Sequence, residues 1–333
     1  MHKRKLNLLL LPAIVGVLAC GLLSPNPSPT AKPDNIATGV AEAHAISATL
    51  TAEAPIPQAK IYFSVWDTLF RMDLDGSHLE TVAKMGAKSE HVFIDNVNEK
   101  IYVSHWSGQV FVLDLTHNTQ IMIQDLNNGD GGQGIAVDPN TSDLYLGLYY
   151  GGIYTKNLNG NTSWQQLVSS ESLAPLLGQR GQMQVDPANH QIYFKTAFNG
   201  ECGLCRYIYR VDYGGEKLTK IIPANGGDDL ALDLVAHKMY FSDIPGNVIM
   251  RANLDGSKFE TLFRVPAPYS ACRAIALDLV GHKIYMSLYD ESRDWKARAI
   301  SRVNFDGTGY EILYEVSGDS GDAVSGGIGL FLP

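Results

Sequence analysis

The sequence predicts an all-β body from residue 58 onward, arranged as a six-bladed β-propeller of four-stranded blades whose C-terminal strand closes blade 1. Three observations lead there. A tyrosine-centred strand recurs six times, an apolar run ending in Asp precedes five of the six, and a spare apolar strand stands at the extreme C-terminus.

The totals fit such a body. The 333 residues are 45% apolar and 18% charged, and 32 glycines imply many turns. A domain of this size buries a large core without needing disulfides. The formal charge is -9, and because residues 1–19 carry three basic side chains and no acid, the rest stands at -12. An acidic body without Lys/Arg clusters argues against nucleic acid, whose binding rests on neutralising phosphates.

The N-terminus reads as an export signal over residues 1–19. His2-Lys3-Arg4-Lys5 is a charged start, and Leu6 to Ala19 is an apolar run of about 14 residues, short of the roughly 20 that span a bilayer. Val17-Leu18-Ala19-Cys20 resembles the bacterial lipobox, although Leu18 is not the commonest residue at its place. The resemblance implies a lipoprotein, lipidated on Cys20 and anchored in the cell envelope by lipid alone. Plain secretion after cleavage near Ala19 or Ser24, and an uncleaved anchor, are the alternatives. Residues 20–57 then read as a disordered Pro/Ala/Ser/Thr tether, with six prolines between Pro25 and Pro57.

The repeat begins at residue 58. Its tyrosines are Tyr62, Tyr102, Tyr145, Tyr193, Tyr240 and Tyr285, spaced by 40, 43, 48, 47 and 45 residues. The apolar runs ahead of five of them are Val92–Asp95, Ile135–Asp138, Met183–Asp186, Leu230–Asp233 and Ala274–Asp278, each followed by a turn. A third strand ends in a glycine turn, as at Asp75-Gly76, Asp255-Gly256 and Asp306-Gly307, and a fourth follows, such as Glu260–Phe263. Basic residues open the third strand at Arg71, Lys156, Arg210, Arg251 and Arg302, and are expected to serve each blade locally. A four-stranded meander has two apolar faces and can bury neither alone, so such units stack radially. The first tyrosine strand lacks a preceding apolar run. Gly327–Leu332 supplies it, joining the two ends into a closed ring.

This grammar resembles the YWTD repeat, the class B repeat of low-density-lipoprotein receptors, over all six blades. The tyrosine is kept throughout, whereas the Trp position holds Phe63, Val103, Leu146, Phe194, Phe241 and Met286, and the final Asp survives as Asp243. The resemblance implies the fold and names no partner. Kelch- and NHL-type propellers share the general plan.

Antiparallel order sorts the loops. The 2–3 loops and the loops entering strand 1 share one face, and the Asp turns and Asp-Gly turns share the other. On the irregular face the 2–3 loops carry Trp66, His105, Trp106, Tyr149, Tyr150, Phe198, Tyr289 and Trp295. Such aromatics dominate binding hot spots, though each can also cap a blade end. The loops entering strand 1 converge on the central channel and add Glu90, His91, Asp130, Gln133, Gln182, Asp228, Asp229, Arg273, Asp319 and Asp322. Residues 127–132 and 317–322 are oxygen-rich but lack calcium-loop spacing. Cys202 and Cys205 form one CxxC, read as a local disulfide in an oxidising compartment, and neither a cofactor nor a bound metal is implied.

The expected function is therefore an exported, membrane-anchored binding module that takes a protein or other extracytoplasmic ligand on its aromatic loop face. A cation-dependent hydrolase or lyase of the lactonase kind, working at the channel mouth, is the alternative from another class. A purely structural envelope component is a third.

Overall fold

The computed structural model describes residues 58–333, apart from 118, 124–130, 150, 161, 174–175, 201–202, 225–228, 244–245, 291–295 and 316–323. For 123, 176–181, 197–200, 203–206, 223–224, 296–298 and 324–326 it describes the backbone alone.

The turns set the repeat. Each Asp that ends a first strand turns its carboxylate onto the backbone amides two or three residues ahead. Asp95 accepts from Val97 and Asn98, Asp138 from Asn140, Asp186 from Asn189, Asp233 from Ala236, and Asp278 from Val280 and Gly281. These are Asx turns, and burial of the acids makes the bonds costly to lose. The next turn is fixed in the same way: Asp75, Asp255 and Asp306 each take the amide and hydroxyl of the Ser or Thr two residues on. The intervening Gly76, Gly256 and Gly307 lie at φ of 87°, 85° and 81°, where a side chain would be strained.

Between these turns run short antiparallel strands. Blade 1 contains β1 (Lys60–Val65), β2 (Thr68–Asp73) and β3 (Glu80–Lys84). Blade 2 is β4 (Ser89–Asp95), β5 (Lys100–His105), β6 (Val110–Asp114) and β7 (Thr119–Ile123). Blade 3 is β8 (Gly132–Asp138), β9 (Asp143–Leu148), β10 (Gly152–Asn157) and β11 (Gln165–Val168). Blade 4 is β12 (Leu176–Asp186), β13 (Gln191–Gly200), β14 (Gly203–Asp212) and β15 (Thr219–Ala224). Blade 5 is β16 (Leu230–Asp233), β17 (Lys238–Asp243), β18 (Val248–Asn253) and β19 (Glu260–Arg264). Blade 6 is β20 (Ala271–Asp278), β21 (Lys283–Asp290), β22 (Lys296–Asn304) and β23 (Glu311–Glu315), and β24 (Val324–Phe331) ends the chain.

The last strand completes the first blade, whose sheet order is β24-β1-β2-β3. Lys60 pairs with Phe331, Ile61 with Leu330 and Phe63 with Ile328, so the expected strand exchange is present. Inner strands crowd near the axis. A Cβ on Gly327 would lie 2.7 Å from the Val92 amide nitrogen of β4, and only glycine fits there.

Burial shows why the units need one another. Alternate residues of a strand point to opposite faces, and both faces of the tyrosine strand are buried. The core divides into six clusters, one at each contact between neighbouring blades. Tyr62 packs toward blade 2, while Ile61 and Phe63 pack toward blade 6. The sixth contact, between blades 6 and 1, closes the ring.

Arginines reinforce these contacts. Arg71 donates to Glu80 at 2.8 Å and Arg251 to Glu260 at 2.6 Å, and Arg302 pairs with Glu311. Two also reach the following blade, Arg251 to the Phe305 carbonyl at 3.3 Å and Arg302 to the Leu74 carbonyl at 2.7 Å. Their role is thus partly local and partly between blades. Lys156 does not share this position. The register places Thr155 opposite Tyr145, and Val112 opposite Tyr102, where the other blades have arginine.

Candidate functional site

At the channel mouth, the inner strands carry a repeated defect. The β4–β5 register slips between Ser89 and His91, β8–β9 between Gly132 and Gly134, and β20–β21 between Cys272 and Ala274. The skipped residues are Glu90, Gln133 and Arg273. A bulge of this kind re-aims one side chain without ending the strand. Gln182 lies in the wider irregular stretch of β12, and Asp229 immediately precedes β16. Five blades thus present one polar residue each at an equivalent place.

Two of these residues pair with each other, and two more bond to the backbone. Glu90 is buried and accepts from Lys88 at 2.7 Å and from Arg273 at 3.3 Å, linking blade 2 to blade 6. Asp229 is buried too, and accepts from the amides of Leu230 at 2.8 Å and Ile275 at 2.7 Å, which ties blade 5 to blade 6. Gln182 reaches the Val92 carbonyl at 3.4 Å. The mouth is therefore not the bare acidic funnel that Glu90 and Asp229 suggest in sequence. Beyond it, the inner strands surround a cavity of about 150 Å³ lined by Val92, Ile94, Ala231, Ile275 and Leu330, among others. Among the described residues, no three or more His, Cys, Asp or Glu side chains gather as a metal site would require.

Lys195 shows how one blade departs from the rest. It stands two residues after its tyrosine, where four other blades have Ser64, Ser104, Ser242 and Ser287. Fully buried, its ammonium donates to the Ser242 carbonyl at 3.1 Å and lies 6.0 Å from the Phe241 ring centre. Burial pushes the neighbouring Asp243 carboxyl upward, while the Lys195 charge opposes the shift.

The aromatic residues separate into exposed and buried groups. Trp66 and Trp106 are 52% and 50% exposed, and each belongs to a tight 2–3 turn. One dipeptide holds both. Ser89 donates through its amide at 2.9 Å and its hydroxyl at 2.8 Å to the Trp66 carbonyl. Its neighbour Lys88 accepts from the Trp106 amide at 3.1 Å and places its ammonium 5.4 Å from the Trp106 ring centre. Tyr149 extends the strip onto blade 3, its ring 5.6 Å from that of Trp106. Gly131 makes room, because a Cβ there would lie 2.8 Å from the Trp106 carbonyl oxygen. Trp66, Lys88, Trp106 and Tyr149 thus form a ledge over blades 1 to 3.

Other aromatics expected in loops lie within strands. His105 ends β5, fully buried and stacked on Phe111 at 4.6 Å. Neither ring nitrogen finds a partner among the described residues, and burial pulls its pKa down to about 4. Tyr289 is buried in β21, which continues to Asp290 and carries it into the contact with blade 1. Phe198 lies on β13 opposite Cys205 of β14, because that hairpin stays paired to Gly200 and Gly203. His91 is buried in β4, one residue past the bulge. Cys272 is buried as well, with its thiol donating to the Ala274 carbonyl at 3.3 Å. Tyr150, Trp295, Asp130, Asp228, Asp319, Asp322, Cys20 and Cys202 lie outside the described residues, and with Cys202 goes the expected disulfide.

Sequence reasoning missed Lys88 and Lys195. Lys195 carried a signal, since a lysine replaces a small residue at a repeat position. Lys88 carried none, because its value comes from a cross-loop contact.

No family model and no curated protein matches the chain. Among solved structures it is similar to a chain of a nidogen/laminin complex, with a TM-score of 0.67 and 14% identity over 82% of this chain and 98% of that one. A putative TolB from Agrobacterium tumefaciens gives 0.59 and 14%, over 81% and 93% of the two chains. Regucalcin, a calcium-binding protein from Agrobacterium tumefaciens strain C58, gives 0.52 and 17%, over 69% and 75%. At such identities the likeness shows the fold alone, and the fold is a six-bladed propeller.

Proposed function

We propose that this chain is a binding module whose aromatic ledge takes a protein partner, and that it works in the cell envelope, anchored through lipid on Cys20. The observation that carries the reading is the pair of half-exposed tryptophans held by Lys88-Ser89. Two large rings fixed in place and left in water are the kind of anchor that binding surfaces use. The propeller found in a nidogen/laminin complex supports protein binding as a use of this fold. Degenerate YWTD-type repeats and the export signal remain the sequence basis for kinship and location.

The geometry also bears on the hydrolase alternative. Asp229 spends both carboxylate oxygens on backbone amides, so it acts as a tie between blades.

Photo-crosslinking in the native envelope tests the proposal. A benzophenone side chain placed at Trp106 should yield a discrete protein adduct, and one at Val280, exposed on the opposite face, should not. Against the partner so captured, Trp66→Ala should weaken affinity by about 2 kcal/mol while leaving the melting temperature nearly unchanged. Identical adducts from the two positions, or affinity untouched by Trp66→Ala, would refute the ledge.

A further inference from the structure

We propose that the cleft between blades 4 and 5, on the Asp-turn face, is a binding site for a single carboxylate group held by Arg210. The internal repeat supplies the comparison. Arg71, Arg251 and Arg302 each stand opposite a glutamate across the third and fourth strands, and each pairs with it. Arg210 occupies the same register position on β14, but the residue opposite is Thr219. Its guanidinium bonds the Tyr193 hydroxyl and, among the described residues, has no carboxylate within ion-pair distance. The arginine is kept where its carboxylate is gone.

Space lies in front of it. At the contact of blades 5 and 6, Phe305 fills the equivalent position, with its ring 5.1 Å from Tyr240 and 5.8 Å from His282. At the contact of blades 4 and 5 the shorter Leu254 stands there, as Leu74 does between blades 6 and 1, and leaves room. The result is a cleft of about 500 Å³ with Arg210 and Tyr193 at its head and Gln191 and His237 on its walls. That volume suits a small ligand or one side chain of a partner.

Charge selects the ligand class. Asp186 and Asp255 also border the cleft, and both are already engaged: Asp186 by the amide and side chain of Asn189, Asp255 by the amide and hydroxyl of Ser257. Neither lies within ion-pair distance of Arg210, although Asp255 feels its charge, and both would repel a dianion such as phosphate. A planar monoanion that matches the guanidinium fork bears less of this cost. The ligand would then take the place that Glu80, Glu260 and Glu311 fill in the other blades. Its carboxylate could come from a free small acid or from an acidic side chain of a protein.

Arginine side-chain NMR on the full chain tests this. The Arg210 Nε–Hε signal, identified with Arg210→Lys, is followed during separate titrations with sodium acetate, an Asp/Glu-containing peptide and inorganic phosphate. The expected result is a saturable shift at Arg210 under carboxylate, with the signals of Arg71, Arg251 and Arg302 unmoved. Thr219→Glu, at an exposed position, should shift the Arg210 signal before any addition and weaken acetate binding about tenfold or more. Peptide binding at least about tenfold tighter than acetate would assign the carboxylate to a protein partner, and equal affinity to a free acid. A shift that never saturates, one shared by all four arginines, a Thr219→Glu chain that titrates like the parent, or phosphate binding more tightly than acetate would each overturn the proposal.

Discussion

The two faces of the ring are built from the same strands and obey different rules. On the Asp-turn face the same bonds recur, with a buried Asp on the amides ahead of it and a second Asp on a Ser or Thr. On the other face the inner strands share a bulge in three blades, but the described 2–3 loops differ. Blade 1 presents Trp66 on a two-residue turn, blade 2 presents Trp106 beside a bulge, and blade 4 extends a hairpin of two ten-residue strands. The difference teaches where constraint comes from. A turn that must satisfy buried carboxylates has few solutions, whereas a turn ending in water has many. Variation on the second face does not mean looseness, because Glu90, Asp229 and Lys195 are buried and bonded there.

Three perturbations probe that contrast, from the largest effect to the smallest. Deleting residues 326–333 removes Ile328, Leu330 and Phe331, all buried. At about 2–5 kcal/mol for each large apolar side chain, the loss approaches the whole stability of a typical domain. Cooperative melting should vanish in circular dichroism. A truncated chain that melts like the parent would show that ring closure contributes little.

Asp229→Ala leaves the buried Leu230 and Ile275 amides without an acceptor and should cost about 4 kcal/mol, seen as a lowered denaturation midpoint. An unchanged midpoint would show that the polar residues of the irregular face are dispensable to the fold, contrary to their burial.

His105 gives the smallest effect and a distinctive one. The unfolded chain binds a proton near the ordinary histidine value of about 6.5, whereas the buried ring resists protonation down to about 4. Between those values the unfolded state holds more protons, so stability falls as the pH drops. The contribution is intact above about 6.5 and declines by on the order of 3 kcal/mol toward pH 4. His105→Gln should flatten that part of the pH–stability curve, measured by denaturant unfolding at several pH values. A slope identical to the parent's would place the acid sensitivity elsewhere.

Much of the fold was legible because its demands are coarse. The residue after each tyrosine varies from Val103 to Phe63 and Met286, since that site asks only for apolar volume between blades. The tyrosine persists where its ring fills the contact with the next blade and its hydroxyl meets polar groups, as Tyr285 meets the Leu74 carbonyl. Closure by the last strand was legible because blade 1 visibly lacked one. Lys156 was misassigned because residue spacing alone misses a one-residue shift, which only the hydrogen-bond register fixes. Tyr289 looked like a loop residue because nothing in the local sequence marks how far a hairpin stays paired. The mouth residues carried a usable trace: Glu90, Gln133 and Arg273 each stand five positions before the Asp of their turn. Their partners did not, since the Glu90–Arg273 contact joins residues 183 apart.

The shared sheet of blade 1 bears on the order of folding. Every other blade is contiguous in sequence and can pair as soon as its own segment is available. The β1–β2–β3 meander must wait for β24, the last strand of the chain. Closing a loop of that length from a fully open chain costs about 5 kcal/mol in chain entropy. Prior stacking of blades 2 to 6 would meet most of that cost by curving the chain until its ends approach. Blade 1 should therefore be the last part to gain protection from hydrogen exchange on refolding, and the first to lose it.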